Sequence, residues 1–427
     1  MSLDSVDRRE FLKRSAQAAA AVGLARGSVW GANERLQVGF VGVGIRGDQL
    51  LRTTLRANNV KVVAICDAYQ GYLKRGVDRV KEADKGNTPV AYDDIRRILE
   101  DKNVEAVVVS TPEHRHVEHV LQTLAAGKDI YIEKPLTHSI EEGAQMMKAL
   151  AKAGPRVVQV GTQRRSSVLY SKAREMVQSG MLGKITNVRA FWYRNSLSPQ
   201  WRYPIPDDAS PQTANWEAFL GPAPKRSWDA ARYFQWRLYW DYSGGIATDL
   251  MTHQIDAVQM VLGEKAPDSV FATGGLYNWN DGREVPDTFH SILTYKSGFI
   301  VDYTSMFANQ HYGYGEQFLG TEGTLEVMNA RTLNFYPEKF MQAGKDVTPD
   351  KVKARPEITL DAQKDLGQAD MVLSHLENFY DSVKTRKPTN CPLEAGDQAA
   401  TPCHLATLSF RQKRQIFWDP ATRKAKA

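Results

Sequence analysis

Residues 38–51 read "VGFVGVGIRGDQLL", and the order of the glycines in that run decides how the rest of the chain is read. Gly42, Gly44 and Gly47 stand in G-x-G-x-x-G order, after an apolar run suited to a strand and before a helical pattern. Such glycines permit a tight turn, let the backbone approach a pyrophosphate and let a helix pack closely, while the helix N-terminus offers N–H donors and positive dipole. Alone the pattern is weak. The next strand-like run, "VKVVAICD", ends at Asp67, 20 residues beyond Gly47, where a carboxylate would accept hydrogen bonds from ribose hydroxyls. A carboxylate there repels the extra phosphate of NADP, so NAD is the expected cofactor. Arg46 keeps NADP open, since its guanidinium could hold that phosphate, hold the pyrophosphate or face solvent.

Outward from Leu36, short apolar runs such as "EAVVVSTP", "DIYIEKP" and "RVVQVGTQ" alternate with amphipathic stretches such as "VEHVLQTLAAGK" and "SIEEGAQMMKALAKAG". That alternation predicts a Rossmann-type, doubly wound parallel sheet over residues 33–158. Ser139 and Glu142 form a capping-box pair, and Gly127 and Gly154 stand where helices should stop. From residue 159 to 427 the texture changes to successive strand-like runs between helical patterns, which predicts an α+β domain with a mainly antiparallel or mixed sheet. Late helical patterns close the chain and are expected to pack back. Between Trp192 and Trp240 lie six of the nine tryptophans. This aromatic-rich insertion, 194–242, either walls a sugar site, since rings stack on pyranose C–H groups, or anchors a long loop or an oligomer contact.

A chain of 427 residues accommodates two domains, and no segment approaches a membrane span. Residues 1–32 carry Arg8 and Arg9 ahead of Phe11, Leu12 and Lys13 and an alanine-rich run, the form of a twin-arginine export signal. The expected location is therefore periplasmic or otherwise exported, with the twin-arginine machinery as a partner. That segment holds five Lys or Arg against three Asp or Glu, so the formal charge of +6 overstates the basicity of the remainder. No run of basic residues marks a nucleic-acid surface. Of the three cysteines, Cys66 reads as a buried thiol, and Cys391 and Cys403 could pair in an oxidising compartment.

The glycine turn, "STPEHRHVEHVLQTLAAGKDIYIEKPL" (residues 110–136), "GTQRR" (161–165) and "GGIATDLMTHQID" (244–256) together resemble the Gfo/Idh/MocA oxidoreductases across nearly the whole chain after the export segment. The resemblance implies an open-faced sheet in the second domain, a sugar or polyol substrate and a homo-oligomer, dimer or tetramer. It implies that Ser110, Thr111, Pro112 and His116 line the cofactor with Gly42, Gly44, Arg46, Gly47 and Asp67. Glu133 and Lys134 match the family's Glu-Lys-Pro element, Gln163 the polar position near the nicotinamide, and Asp249 and His253 its D-x-x-x-H pair.

Physical chemistry supports these roles. Ligands of open parallel sheets gather beyond the carboxyl ends of strands, and Lys134 ends one, where its ammonium would stabilise a developing alkoxide. Asp249 and His253, four apart, share a helical face, so the carboxylate can orient an imidazole that accepts a proton. Asp256, three residues after His253, is the other possible partner; the family pattern prefers Asp249. No metal is expected, because ligands near His253 are too few. Arg165, Tyr193 and Trp236 are the candidate substrate contacts.

The leading reading is a periplasmic NAD-dependent oxidoreductase acting on a CH–OH group. A second is a glycosidase or lyase that oxidises, eliminates, hydrates and re-reduces around a tightly bound NAD. A variant passes the hydride to a second sugar, against which stand Asp67 and His253. A third is a dinucleotide-binding protein without catalysis.

Overall fold

The computed structural model describes residues 35–426, so the segment read as an export signal lies outside the described residues. The chain alternates β1 (Leu36–Val41), α1 (Ile45–Thr54), β2 (Val60–Cys66), α2 (Gln70–Ala83), β3 (Val90–Tyr92), α3 (Ile95–Glu100), β4 (Ala106–Val109), α4 (His116–Ala125), β5 (Asp129–Ile132), α5 (Ile140–Ala153) and β6 (Val158–Val160). These six strands are parallel, in the order β3-β2-β1-β4-β5-β6. Every residue of β4 and β5 is buried, as expected where helices cover both faces of a parallel sheet. The capping box of Ser139 and Glu142 is present at the start of α5. Strand order reverses between β1 and β4, which opens a crevice at their carboxyl ends.

Glycine is required at that crevice. Gly42 has φ +80°, and a Cβ on Gly47 would lie 1.9 Å from the Gly42 carbonyl oxygen. Only glycine lets α1 begin so close beneath the turn.

After α6 (Val168–Gln178) comes β7 (Ile185–Arg194), and then the insertion with two short helices, α7 (Trp216–Leu220) and α8 (Ala230–Phe234). A π-helical turn, Ala247–Met251, runs directly into α9 (Thr252–Leu262). Strands β8 (Ser269–Gly275), β9 (Thr288–Tyr295), β10 (Phe299–Met306), β11 (Asn309–Gly320), β12 (Gly323–Met328) and β13 (Thr332–Pro337) follow, then the hairpin β14 (Met341–Gln342) and β15 (Lys345–Asp346). The chain ends with α10 (Asp350–Lys353), β16 (Ile358–Asp361), α11 (Met371–Thr385), α12 (Leu393–Gln412), β17 (Ile416–Asp419) and β18 (Lys424–Lys426).

Ten of these strands form one sheet, β16-β13-β12-β11-β7-β10-β9-β8-β17-β18, parallel between β7 and β10 and antiparallel elsewhere. In β9, Phe289, Ser291, Leu293 and Tyr295 point inward and alternate with less buried residues, the period-2 signature of a sheet covered on one face. Its other face stays open, exposing Phe271, Ile292, Ile300 and Phe417.

The late helices return to the first lobe. α11 drives Leu376, Phe379, Tyr380 and Val383 into the core that holds Phe40 and Val62, and Leu393 at the start of α12 joins the core on the other face of the parallel sheet. Cys66, Cys391 and Cys403 are all free and buried, so the 391–403 bridge does not form; burial pushes both of those thiols up to about 12.

Candidate active site

A cavity of about 890 Å³ lies between the lobes, over the carboxyl ends of β1, β2, β4 and β5. Gly42, Gly44, Arg46, Asp67, Ser110, Thr111, Pro112, His116, Glu133, Lys134, Gln163, Trp236, Asp249 and His253 all line it. Gly47 sits just beneath, packed on Gly42.

In the nucleotide half, the Asp67 carboxylate accepts the Val43 N–H at 2.7 Å and the Tyr69 N–H at 2.9 Å. Burial pushes it up to about 6 against those two bonds, so it is mostly ionised at neutral pH. Ser110 Oγ donates to the Gly42 carbonyl at 2.7 Å, tying the turn after β4 to the glycine turn. The His116 ring lies 2.7 Å from the Pro135 carbonyl and 2.8 Å from that of Thr111, and so holds the Lys134–Pro135 segment against the cofactor loop. Arg46 pairs with Glu133 at 3.0 Å, and Gln163 Nε2 donates to Glu133 at 3.1 Å and to the Tyr131 hydroxyl at 2.9 Å.

These residues fit a dinucleotide. A Cβ on Gly44 would meet only the Tyr72 ring, at 3.4 Å, so the backbone there faces the open cavity. The N-terminus of α1 and the Asp67 carboxylate face the same space, and supply the donors and the acceptor that a pyrophosphate and a ribose need.

At the other end, Lys134 of the first lobe meets Asp249 of the second. Lys134 Nζ donates to Asp249 Oδ1 at 2.9 Å and to the Asp249 carbonyl at 2.6 Å, and Arg237 Nε reaches the same Oδ1 at 3.3 Å. Burial pushes the Asp249 carboxyl upward, but Lys134 and Arg237 outweigh it and hold the group well below the usual carboxylate range. The π-helical turn that carries Asp249 adds about a residue to the turn, a distortion common where a helix presents functional groups.

The expected Asp249–His253 hydrogen bond is absent, because the Asp249 carboxylate is taken by the two cations. Asp256 is no substitute, since it pairs with Arg165 Nε at 2.6 Å. The His253 ring packs beside Trp192, centroids 5.2 Å apart, and nothing among the described residues hydrogen-bonds it. Burial, then Lys134 and Arg164, hold its pKa well below the ordinary histidine value, so the imidazole is neutral.

Two substrate candidates are corrected. Tyr193 turns away from the cavity and hydrogen-bonds Thr304 Oγ1 at 2.5 Å, because alternate residues of β7 face opposite sides; Trp192 and Arg194 line the site instead. Arg165 is committed to Asp256 and lies off the cavity wall. Trp236 is on the wall, with the Arg237 guanidinium stacked over it at 4.2 Å.

Sequence reasoning also passed over Glu113, which lies between Pro112 and His116 and is 1% exposed. It accepts hydrogen bonds from Ser243 Oγ at 2.9 Å, the Gly244 N–H at 3.0 Å and Thr248 Oγ1 at 2.8 Å, latching the cofactor lobe to the chain just ahead of Asp249.

Most rings of the insertion do not wall the Lys134 end. They form one cluster with Tyr69 and Tyr72 on the first lobe, including Phe219, Tyr233 and Phe234. Backbone bonds pin this strap: the Gln70 N–H to the Thr213 carbonyl at 2.9 Å and the Asn215 N–H to the Ala68 carbonyl at 2.8 Å, both just past β2. Beyond β4, His114 Nε2 lies 2.7 Å from the Phe219 carbonyl. The strap therefore crosses the nucleotide half beside the glycine turn.

A glycine-turn lobe joined by a lysine–carboxylate pair to an open-sheet lobe defines a two-lobe dinucleotide-dependent oxidoreductase architecture. Residues 36–162 match the family described as "Oxidoreductase family, NAD-binding Rossmann fold", and 167–274 and 223–417 match its "C-terminal alpha/beta domain" descriptions. The chain belongs to this Gfo/Idh/MocA family.

Among curated proteins it is 34% identical over 149 residues to an inositol 2-dehydrogenase/D-chiro-inositol 3-dehydrogenase of Lactiplantibacillus plantarum, covering 35% of this chain and 41% of that one. The first such matches thus span less than half of those relatives' length. A myo-inositol 2-dehydrogenase of Thermotoga maritima is 25% identical over 89% of this chain and 98% of its own. A glycosyl hydrolase family 109 protein of Stenotrophomonas maltophilia is 28% identical over 44% of this chain and 42% of its own. In fold, the chain resembles the scyllo-inositol dehydrogenase of Lactobacillus casei solved with NAD(H) and scyllo-inositol: TM-score 0.64, 19% identity, 90% of this chain and 99% of that one.

Proposed function

We propose that this protein is an NAD-dependent oxidoreductase acting on a CH–OH group of a sugar or polyol. The observation that carries the reading is the Lys134–Asp249 pair, made across the lobes in the cavity that His253 also lines. When bound, the nicotinamide ring supplies the hydride acceptor. Lys134 has three N–H donors and directs two at Asp249, which leaves the third for a substrate oxygen. Asp249, kept ionised, positions that ammonium beside the oxygen where negative charge develops. Neutral His253 accepts the hydroxyl proton at a free ring nitrogen. Asp249 thus acts through Lys134 rather than through His253. Asp67 favours NAD over NADP.

The strap pinned on both sides of the glycine turn supports a tightly retained nucleotide. Such retention suits an exported protein, which Arg8 and Arg9 support, because free NAD is scarce outside the cytoplasm. The open apolar sheet face supports burial against a second copy.

A second reading is a glycosidase that borrows the hydride and returns it, favoured by the partial similarity to a glycosyl hydrolase family 109 protein. Denaturing the purified protein and identifying the released nucleotide, then following NADH absorbance with inositols, free sugars and aryl glycosides, tests both. Accumulation of NADH with a free polyol supports simple dehydrogenation. Glycoside cleavage without accumulation supports the internal cycle. Protein that neither carries nor binds NAD would refute the proposal.

A further inference from the structure

The charge balance at the reacting end of the cavity is uneven. Asp249 there feels three cations, Lys134, Arg237 and Arg194. Lys134 and Arg237 contact it directly, whereas Arg194, at the end of β7, makes no ion pair and no side-chain hydrogen bond among the described residues. Its guanidinium rests on the Trp192 ring at 4.9 Å, and both residues line the cavity. Asp249, the carboxylate it acts on, already carries Lys134 and Arg237, and two further buried carboxylates of the cavity wall are engaged elsewhere. Glu133 is held by Arg46 and Gln163, and Glu113 by its three donors. A partly buried, unpaired guanidinium in a sheltered site is unfavourable unless a ligand brings the counter-charge. The alkoxide formed during reaction accounts for Lys134 and leaves Arg194 unmatched.

Resting on the oxidoreductase reading above, we propose that the substrate is a sugar acid, a polyhydroxylated molecule with a carboxylate, and that Arg194 binds that carboxylate. A planar guanidinium offers two parallel N–H donors, the geometry a carboxylate accepts bidentately, and the Trp192 ring beneath holds the fork in place. Neutral hydroxyls would leave that charge uncompensated.

The test uses the NAD-loaded full chain and calorimetric binding of glucuronate, galacturonate and mannuronate, each beside its neutral counterpart, with glucose 6-phosphate as a further probe. At least one uronate should bind about 10- to 100-fold more tightly than the matching neutral sugar, the range expected for charge-assisted hydrogen bonds. Arg194→Gln should abolish that difference, and Arg194→Lys should keep only part of it, with bound nucleotide per chain unchanged in both. Neutral sugars binding as tightly as uronates, no uronate binding, tighter binding of the phosphate, or a preference that survives Arg194→Gln would each overturn the proposal. Failure of the wild-type protein to hold NAD would instead strike the oxidoreductase reading, and the uronate comparison can still be made without nucleotide.

Discussion

Replacing Glu113 by glutamine probes the latch between the lobes without needing a known substrate. The carboxyl is buried; burial, followed by the nearby charge of Asp249, pushes it up to about 7, against the three donors from Ser243, Gly244 and Thr248. An acid raised from 4.5 to about 7 holds its proton more tightly in the folded chain than in the unfolded one. Its contribution is therefore fully present below about pH 4.5 and is lost as pH rises through about 7. At 1.36 kcal/mol per pH unit, the interval corresponds to roughly 3 kcal/mol. Glutamine carries no proton to lose and turns an amide N–H₂ toward a donor, which adds a pH-independent offset. Urea unfolding of both proteins in steps from pH 4.5 to 8 gives the difference in unfolding free energy, in which the other titrating groups cancel. That difference should shift by roughly 3 kcal/mol in favour of the variant as pH rises. A difference that stays flat across the range would refute the reasoning.

Lys134→Met should lower kcat by about 10²- to 10³-fold, the usual loss for removing an oxyanion donor, while bound nucleotide is retained; a kcat within threefold of wild type would contradict its role. Asp67→Ser should shift the NAD-to-NADP affinity ratio at least about tenfold toward NADP, read by titrating nucleotide-free protein, because it removes the repelling carboxylate. Gly47→Ala would force the turn apart, since the new Cβ falls 1.9 Å from the Gly42 oxygen, and the purified variant should lack nucleotide and melt at a lower temperature. Phe234→Ala removes ring contacts to Tyr69 and Tyr72, at 5.0 and 5.9 Å between centroids, and should speed NADH release measured by fluorescence; an unchanged rate would show that the strap does not retain the nucleotide.

Much of the fold was legible because its signals are local. The glycine spacing, the strand-helix alternation and the Ser139–Glu142 cap each depend on residues a few places apart, and all three appear as read. Lys134, Asp249 and His253 were legible as a motif set, but their partners were not. Helical spacing offered both Asp249 and Asp256 to His253 and the family pattern preferred Asp249, whereas the Asp249 carboxylate binds Lys134, 115 residues away in the chain. Tyr193 was one residue off: period-2 alternation is visible in sequence, but which parity of β7 meets the cavity follows from its pairing with β10 and β11. Glu113 carried no signal in the sequence, because its three donors, Ser243, Gly244 and Thr248, come from the other lobe.

By itself, then, the sequence determined the two kinds of layer and the dinucleotide turn, since backbone sterics and hydrophobic period act between near neighbours along the chain, and it marked Lys134, Asp249 and His253 as a motif set. Only the tertiary structure decided which charges meet, that most rings of the aromatic insertion cross the nucleotide half while Trp236 and Arg237 reach the Asp249 end, and that Arg194 stands unpaired. Coulomb energy and burial depend on distance and dielectric through space, and linear order does not specify either.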